Sequence, residues 1–247
     1  MISRFVRSLQ LIINKNRKFF INGLDLNKGE VIETGSSFNL DKGGSGAPLK
    51  VAVLGLGWNA NDDPDGPVFD LDVSGFCVGE DGQIPEMTDL VFFNSNLTSK
   101  FQSYDFEQLP SSTNGVVFGA KDEICANGPE DEDDAQYMII VLDEVVDHIK
   151  EMIIVLIITK FSDDEGKDRR TLDSDFSQVQ ECYCRAWDFD ADTPSYTYEL
   201  DQEFSKEEAI VFGKFTKDGS NSWNFTAIGE GHVGGLSKPI SIHANKF

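Results

Sequence analysis

The sequence is poor in cysteine and histidine, which limits both disulfide and zinc chemistry. Its 247 residues include three histidines and four cysteines, Cys77, Cys125, Cys182 and Cys184. No CxxC pair or Cys/His cluster is present, so the sequence offers no zinc motif. Four cysteines do not form a dense disulfide framework in a chain of this length. We therefore expect thiols that are buried in a reducing compartment.

Positive charge is also scarce. The chain has 21 Lys and Arg residues against 43 Asp and Glu residues, a formal net charge of −22 and a pI near 4.3. This balance argues against direct nucleic-acid binding, and against an anionic membrane as a partner unless cations bridge the two. Divalent cations are the expected partners because they relieve like-charge repulsion, although most of the acidic side chains need only confer solubility.

The sequence lacks long apolar runs and catalytic motifs. The longest apolar run, residues 152–159, is too short to span a bilayer. No P-loop, G-x-S-x-G, HExxH or paired Cys/His nucleophile occurs, so we expect no enzymatic activity. The remaining enzyme hypothesis is phosphoester hydrolysis at a metal site built from carboxylates alone.

The most informative stretch is residues 55–74, where an apolar run leads through an acidic loop into an alternating strand. On that strand Leu71 and Val73 alternate with Asp70 and Asp72, which places both carboxylates on one face. The loop upstream adds more oxygen-bearing side chains. Because Ca²⁺ collects about six to eight oxygens, divalent-cation binding is the first hypothesis. The alternative is a solvated strand face. The candidate ligands in this stretch are Asn61, Asp63, Asp65, Asp70 and Asp72.

The same stretch imitates two familiar motifs. Gly55, Gly57 and Ala60 match the G-x-G-x-x-G/A dinucleotide fingerprint, but the prolines and glycine that follow exclude the helix which that site requires. Residues 61–72 match several ligand positions of an EF-hand loop. They nevertheless connect two predicted strands and end in Asp72 in place of Glu, so an EF-hand fold is excluded.

The beginning of the chain differs from the rest. Residues 1–20 contain five basic side chains and no acidic one, with apolar residues at near-helical spacing. We favour a short amphipathic helix that packs on an acidic domain; a transit peptide and a membrane-surface helix are the alternatives. The predicted organisation is this basic segment, residues 1–22, followed by one domain over residues 23–247.

From residue 23 onward, short apolar runs of strand length alternate with turns. Residues 137–142 and 152–159 are near-continuous apolar runs, and helical periodicity is rare. This pattern predicts an all-β fold, a two-sheet β-sandwich with long acidic loops. Residues 98–113 carry few strand or turn cues and predict an insertion or long loop. The tail from residue 229 has no clear assignment.

Several short segments, in this order, resemble the TerD family of bacterial tellurium-resistance and stress proteins. The most specific are GLGW at residues 55–58 and FDLD at residues 69–72. The resemblance extends over about residues 23–236. The weaker matches are LNKG at 26–29, SFNL at 37–40, VFFN at 91–94, FSQV at 176–179, Arg185, VFG at 211–213 and WNF at 223–225.

This resemblance implies a β-sandwich that binds calcium through acidic loops at one edge, a cytoplasmic location, and a role in resistance to tellurite and other chemical stresses. It implies no known catalytic activity. Gln136 stands where an acidic residue is expected, so one of two cation sites is expected to be weaker or shifted. For Asn94 and Asp122 the alternative is a turn-forming side chain, and for residues 130–134 it is a solvated charge run. The ligands implied by position, or lying beside such a position, are Asp70, Asp72, Asn94, Asp122, Asp133 and Asp134.

Two functional hypotheses follow. The leading one is a non-enzymatic, Ca²⁺-binding stress-response or scaffold protein in the cytoplasm, with protein partners in a stress-response complex. The rival is a calcium-dependent membrane- or protein-interaction module at the membrane periphery. In the rival, Ca²⁺ bridges the acidic loops to lipid phosphate, and the basic N-terminal segment adds adhesion.

Overall fold

The structure of the chain is a computed structural model. The predicted amphipathic helix of residues 1–22 falls almost wholly outside the described residues. The described ranges are residues 20–21, 24–25, 30–40, 48–59, 70–101, 104–119, 136–159, 174–189, 196–200, 204–219 and 222–244.

Strands dominate these ranges. The 3-10 helices are Met87–Asp89 and Leu142–Glu144, the α-helix α1 is Ser237–His243, and no helix in the described ranges is long and apolar enough to cross a membrane. In chain order the strands are β1 (Phe20–Ile21), β2 (Leu24–Asp25), β3 (Glu30–Ile32), β4 (Ser37–Asn39), β5 (Val51–Asn59), β6 (Leu71–Gly79), β7 (Leu90–Val91), β8 (Leu97–Phe101), β9 (Tyr104–Pro110), β10 (Val117–Gly119), β11 (Gln136–Val141), β12 (Ile149–Ile158), β13 (Gln180–Asp188), β14 (Tyr196–Glu199), β15 (Ala209–Lys217) and β16 (Trp223–His232).

Two six-stranded sheets contain most of these strands. The first sheet has the spatial order β10-β11-β5-β13-β14-β3, and the second has the order β4-β16-β15-β12-β6-β7. Neighbouring strands are antiparallel, except β14 and β3, which run parallel. The remaining strands form the pairs β1–β2 and β8–β9. The predicted all-β sandwich is confirmed.

The two sheets pack face to face through a shared apolar core. Leu54 and Leu56 of β5 and Met138 of β11 belong to this core, together with Ile154 and Leu156 of β12. Every second residue of these strands points inward, as expected for two aligned sheets. We call this side of each sheet its inner face and the opposite side its outer face.

The outer face of the second sheet is also covered. Phe76 belongs to an apolar cluster on that face, against which Leu236 and Ile240 pack. The carbonyl of His243 at the end of α1 accepts a hydrogen bond from the backbone amide of Ile84 (2.7 Å). Both faces of the second sheet therefore contain buried side chains, including both faces of β6.

Six strands begin or end at the same end of the sandwich, and each of these strand ends borders a stretch of sequence rich in acidic residues. At the opposite end, the Leu142–Glu144 turn joins β11 of the first sheet to β12 of the second. The strand ends near the acidic stretches are Asn59, Leu71, Gly119, Gln136, Ile158 and Gln180. The stretches between them are residues 60–69, 120–135 and 160–173, with three, seven and five acidic residues respectively. We call this end of the sandwich the acidic end.

Two segments differ from the sequence-based expectation. Residues 98–113 were expected to be an insertion or a long loop; the loop alternative is wrong because β8 and β9 form an antiparallel hairpin there, and the insertion alternative stays a prediction. Hydrogen bonds between the two strands supply order that the local residue pattern does not reveal. The unassigned tail continues β16 to His232 and then forms α1.

Candidate metal centre

Asp70 and Asp72 lie on the outer face of the second sheet, where β6 begins. Leu71 and Val73 belong to the core between the sheets, so the intervening carboxylates point the other way, as the alternation predicts. Both acidic side chains are buried: Asp70 is 0% exposed and Asp72 is 2% exposed. The solvated strand face that was the alternative for these two residues is therefore excluded.

Thr159, directly after β12, forms hydrogen bonds with both residues of this pair. Its hydroxyl donates a hydrogen bond to Oδ2 of Asp72, and its backbone amide donates to the carbonyl of Asp70 (2.8 Å). These bonds continue the β6–β12 ladder, in which Asp72 is opposite Ile157. Sequence reasoning missed Thr159 as a site residue. The available signal was a polar residue at the end of an apolar run, shortly before the acidic residues of 163–165.

Burying two carboxylates on one strand face costs free energy, because both lose hydration and they repel each other. Their Cα atoms are separated by roughly 6.5–7 Å, the spacing of alternate residues on a strand. A buried carboxylate requires hydrogen-bond donors, a cationic side chain or a metal ion to offset its lost hydration. The all-oxygen donor set of Asp70, Asp72 and Thr159 suits a hard cation such as Ca²⁺. The residue types present therefore fit calcium.

Asp70, Asp72 and Thr159 alone do not make a complete cation site. Among the residues that the structure describes, no three His, Cys, Asp or Glu side chains are grouped so that they could hold a metal ion. A full Ca²⁺ shell needs about six to eight oxygens, so further ligands are required. The predicted ligands that lie outside the described residues are Asn61, Asp63, Asp65, Asp122, Asp133 and Asp134.

Asn94 has an exposed side chain, unlike the buried carboxylates. It lies in the turn after β7, where the backbone amide of Ser95 donates to the carbonyl of Phe92 (2.9 Å). The turn also contains a hydrogen bond from the amide of Phe92 to the Ser95 hydroxyl (3.1 Å). This geometry accounts for Asn94 as a turn residue, and its role as a ligand stays a prediction.

Gln136 lies on the inner face of the first sheet, in the core between the sheets. It is opposite Leu56 in the β5–β11 ladder, and its residue exposure is 2%. Its Nε2 and the Nε1 of Trp58 are buried with no hydrogen-bond acceptor among the described residues. Since Asp70 and Asp72 project from the outer face of the second sheet, that sheet separates Gln136 from the carboxylate pair. The expected weakening of a second cation site by Gln136 stays a prediction.

Gly57, in the apparent dinucleotide fingerprint, makes room for a neighbouring aromatic side chain. Gly55 and Gly57 lie within the continuous strand β5, so no helix begins there. A Cβ added to Gly57 would meet the ring of Tyr183 at 2.3 Å, and the hydroxyl of Tyr183 accepts a hydrogen bond from Nη2 of the buried Arg185 (2.7 Å). The absence of a side chain at Gly57 makes room for this aromatic ring.

A second polar cluster contains Cys77, Asp89 and Asn114 near the opposite end of β6. Burial raises the pKa of the Cys77 thiol in this cluster to about 12. The nearby carboxylate of Asp89 adds to this rise. A reactive cysteine needs a lowered pKa and access to solvent. Cys77 is therefore a poor nucleophile at neutral pH.

Comparison with known proteins gives one consistent result. The sequence model of the TerD domain matches residues 29–241. Over 207 residues the chain is 30% identical to the tellurium resistance protein TerD of Serratia marcescens, covering 81% of this chain and 94% of that protein. It is 27% identical over 190 residues to general stress protein 16U of Bacillus subtilis (strain 168), covering 77% of this chain and 85% of that protein.

A solved structure supports the same fold. The crystal structure of a homologue of telluride resistance protein (TerD) from Streptomyces coelicolor A3(2) superimposes on this chain with a TM-score of 0.55. The two chains are 16% identical, and the superposition covers 79% of this chain and 99% of that chain. At this level of identity the likeness establishes the sandwich architecture.

Proposed function

The chain belongs to the TerD domain family, and on that basis we propose that it is a non-enzymatic, Ca²⁺-binding stress-response protein. The observation that carries the calcium assignment is the burial of Asp70 and Asp72 on one strand face at the acidic end. Burying two like charges so close together is costly, and a divalent cation offsets that cost with the ligand type it prefers.

Each described residue has a distinct role in this proposal. The carboxylates of Asp70 and Asp72 supply negatively charged oxygens, and the Thr159 hydroxyl fixes the orientation of Asp72 through its hydrogen bond. A ligand held in place by a neighbouring donor loses less freedom when the ion binds. Bound Ca²⁺ would neutralise charge at the acidic end and stabilise the folded chain by mass action.

The proposed biological role follows from the relatives. Their names describe a tellurium resistance protein and a general stress protein. We assign this chain a related role in the response to tellurite and other chemical stresses, in the cytoplasm and together with protein partners.

Calcium-dependent membrane attachment is the second candidate function. Flanking strand ends of both sheets meet the acidic stretches at one end of the sandwich, so bound ions there would be available to bridge to lipid phosphate. Co-sedimentation with vesicles containing phosphatidylserine, with Ca²⁺ or with EDTA, distinguishes the two roles. Binding only with Ca²⁺ favours the membrane module, and no binding in either condition favours the stress-response protein without membrane attachment.

Thermal melting tests the calcium assignment. We expect the melting temperature of the unsubstituted chain to rise with micromolar to millimolar Ca²⁺, and the rise to disappear in the Asp70→Asn, Asp72→Asn double variant. Asp147→Asn is the matched control because Asp147 is a fully exposed acidic residue. It should retain the full calcium-dependent rise. A calcium response of equal size in the double variant would contradict the assignment.

A further inference from the structure

A histidine and a glutamate lie side by side at the end of β16, on the outer face of the second sheet. In the β15–β16 ladder His232 is opposite Ala209, and Glu230 is opposite Val211. Ala209 and Val211 belong to the apolar cluster of that face, and residues directly opposite each other in an antiparallel pair share a face. The Nε2 of His232 lies 3.6 Å from Oε1 of Glu230. The strand therefore presents an imidazole and a carboxylate together.

The imidazole of His232 is buried, and one of its ring nitrogens is unsatisfied. The residue is 8% exposed, and its Nε2 has no hydrogen-bond partner among the residues that the structure describes. Nε2 is a donor in one neutral tautomer and an acceptor in the other, so either form leaves a buried polar atom without a hydrogen bond. Such an atom costs free energy unless an ion or a ligand completes it. The Glu230 side chain is 65% exposed, so a cation from solvent can reach the pair at its carboxylate.

The backbone that carries this pair is held by the segment before β15. The amide of Glu208 donates a hydrogen bond to the carbonyl of His232 (2.9 Å), and Oε2 of Glu208 accepts one from the amide of Gly234 (3.2 Å). Between the two side chains, a Cβ added to Gly231 would lie 2.6 Å from Cγ of Glu207, so the segment packs closely on the strand. Ligands on a strand that is fixed in this way are held more precisely than ligands on a loop.

The two ligand types favour a transition-metal ion over calcium. An imidazole nitrogen with a carboxylate oxygen suits Zn²⁺, Ni²⁺ or Cu²⁺, whereas Ca²⁺ takes oxygen ligands. Bonds of about 2.0–2.1 Å to one tetrahedral Zn²⁺ ion place two ligand atoms roughly 3.3 Å apart. The distance of 3.6 Å between Nε2 of His232 and Oε1 of Glu230 therefore requires only a small shift of the exposed glutamate. The same distance also suits an ion pair, but that pair requires a protonated imidazole.

We propose that His232 and Glu230 form a binding site for a zinc-like divalent transition-metal ion, with water molecules in the remaining coordination positions. The site needs only two protein ligands, which agrees with the finding that the described ranges contain no metal-holding group of three His, Cys, Asp or Glu residues. Because water completes the coordination, the bound ion exchanges with solvent and is not a permanent structural ion.

This site is separate from the candidate metal centre, although both lie on the outer face of the second sheet at the acidic end. A row of residues crosses the sheet from Asp72 through Ile157 and Ala209 to His232, each opposite the next. Three strand spacings of about 4.7–4.9 Å place the two sites roughly 14 Å apart. One ion cannot bind at both. The inference therefore does not rest on the calcium assignment, and each site can be removed without the other.

NMR of the histidine rings tests the site in the full chain, which has three histidines. Zn²⁺ is the probe, added at slightly alkaline pH so that the imidazoles are neutral. Excess Ca²⁺ is present to occupy sites built from oxygen ligands alone. We expect the ring signals of His232 to change and to saturate near one equivalent of Zn²⁺. The signals of the exposed His148 and of His243 should stay constant over the same range.

Substitutions of two nearby glutamates show whether the carboxylate of the pair is a ligand. Glu230→Gln changes an exposed side chain, so the fold should persist, and Zn²⁺ affinity at His232 should fall severalfold or more. Glu208→Gln is the matched control, because it removes the same charge nearby and keeps an oxygen for the bond from Gly234. It should retain the affinity of the unsubstituted chain.

The outcomes for zinc and for calcium are distinguishable. Asp72→Asn should leave the Zn²⁺ response of His232 unchanged, and Glu230→Gln should keep the calcium-dependent rise in melting temperature. The zinc proposal is overturned if the His232 signals do not respond, or if they respond only at the Zn²⁺ concentrations that also change His148. Equal Zn²⁺ affinity in Glu230→Gln and the unsubstituted chain would likewise overturn it, leaving the contact between His232 and Glu230 as an ion pair only.

Discussion

Thr159 donates its hydroxyl hydrogen to the buried carboxylate of Asp72, across the boundary between β12 and β6. The contact links an acidic residue recognised from its sequence motif to a residue almost ninety positions later that carries no motif. Its consequence is that the orientation of Asp72 depends on the register of two strands. The candidate metal centre is therefore a product of the sheet as well as of the acidic loop.

Thr159→Val keeps the shape of the side chain and removes the hydroxyl donor. We expect a loss of about 1–3 kcal/mol in the free energy of unfolding, because a buried acceptor loses a partner. Calcium affinity should fall by about tenfold or more, as for other residues that orient a metal ligand. Urea denaturation and calorimetric titration measure the two effects. Thr226→Val, which removes an exposed hydroxyl that donates to Ser37 (2.9 Å), should leave calcium affinity unchanged.

Gln136→Leu should be tolerated or stabilising. The Nε2 of Gln136 is buried with no acceptor among the described residues, and replacing such a donor with an apolar group of similar size removes its desolvation cost. We expect the free energy of unfolding to stay constant or to increase by about 1 kcal/mol. Urea denaturation without calcium is the measurement. A loss of several kcal/mol would show that Gln136 has a hydrogen-bonding role.

Gly213→Ala should destabilise the second sheet. A Cβ at this position would lie 2.4 Å from Cζ of Phe225 and 2.8 Å from the backbone carbonyl oxygen of Thr226. Relief requires movement of a buried ring and of the neighbouring strand, at a cost of about 1–3 kcal/mol. Gly219→Ala is the control because an added Cβ meets no atom within 4 Å. Equal unfolding free energies for the two variants would contradict the packing at Gly213.

Glu181→Gly should relieve backbone strain. Glu181 has a positive φ of 50°, beside the register shift in the β13–β5 ladder. Non-glycine residues pay a steric cost in this conformation, so glycine should raise the free energy of unfolding by up to about 1 kcal/mol. Glu181→Gln keeps the strain and removes the charge. If Glu181→Gln stabilises the fold as much as Glu181→Gly does, charge and not backbone conformation explains the effect.

The alternation of polar and apolar residues predicted much of the candidate site. It placed Asp70 and Asp72 on one face and Leu71 and Val73 on the other, which is confirmed. It did not predict that the acidic face would be buried. The outer face of the second sheet is covered in part by α1, which packs on an apolar cluster of that face and comes from a tail without a clear pattern. A strand pattern reports which residues share a face, but it does not report what packs against that face.

Long-range pairing accounts for the other differences from the sequence prediction. The β8–β9 hairpin within residues 97–110 depends on cross-strand hydrogen bonds, and its local residues do not show a strong turn signal. Gln136 was interpreted by its position beside an acidic run, yet the register with Leu56 directs its side chain into the core. In both cases the partner strand determines the outcome, and the partner is distant in sequence or not evident from local periodicity.

Calorimetric titration with Ca²⁺ tests the central claim most directly, because it counts bound ions without relying on stability. The account predicts saturable binding by the unsubstituted chain, loss of at least one bound ion in Asp72→Asn, and unchanged binding in Asp147→Asn. If the unsubstituted chain shows no saturable binding, or if Asp72→Asn binds the same number of ions with the same affinity, the assignment of Asp70 and Asp72 as calcium ligands is contradicted.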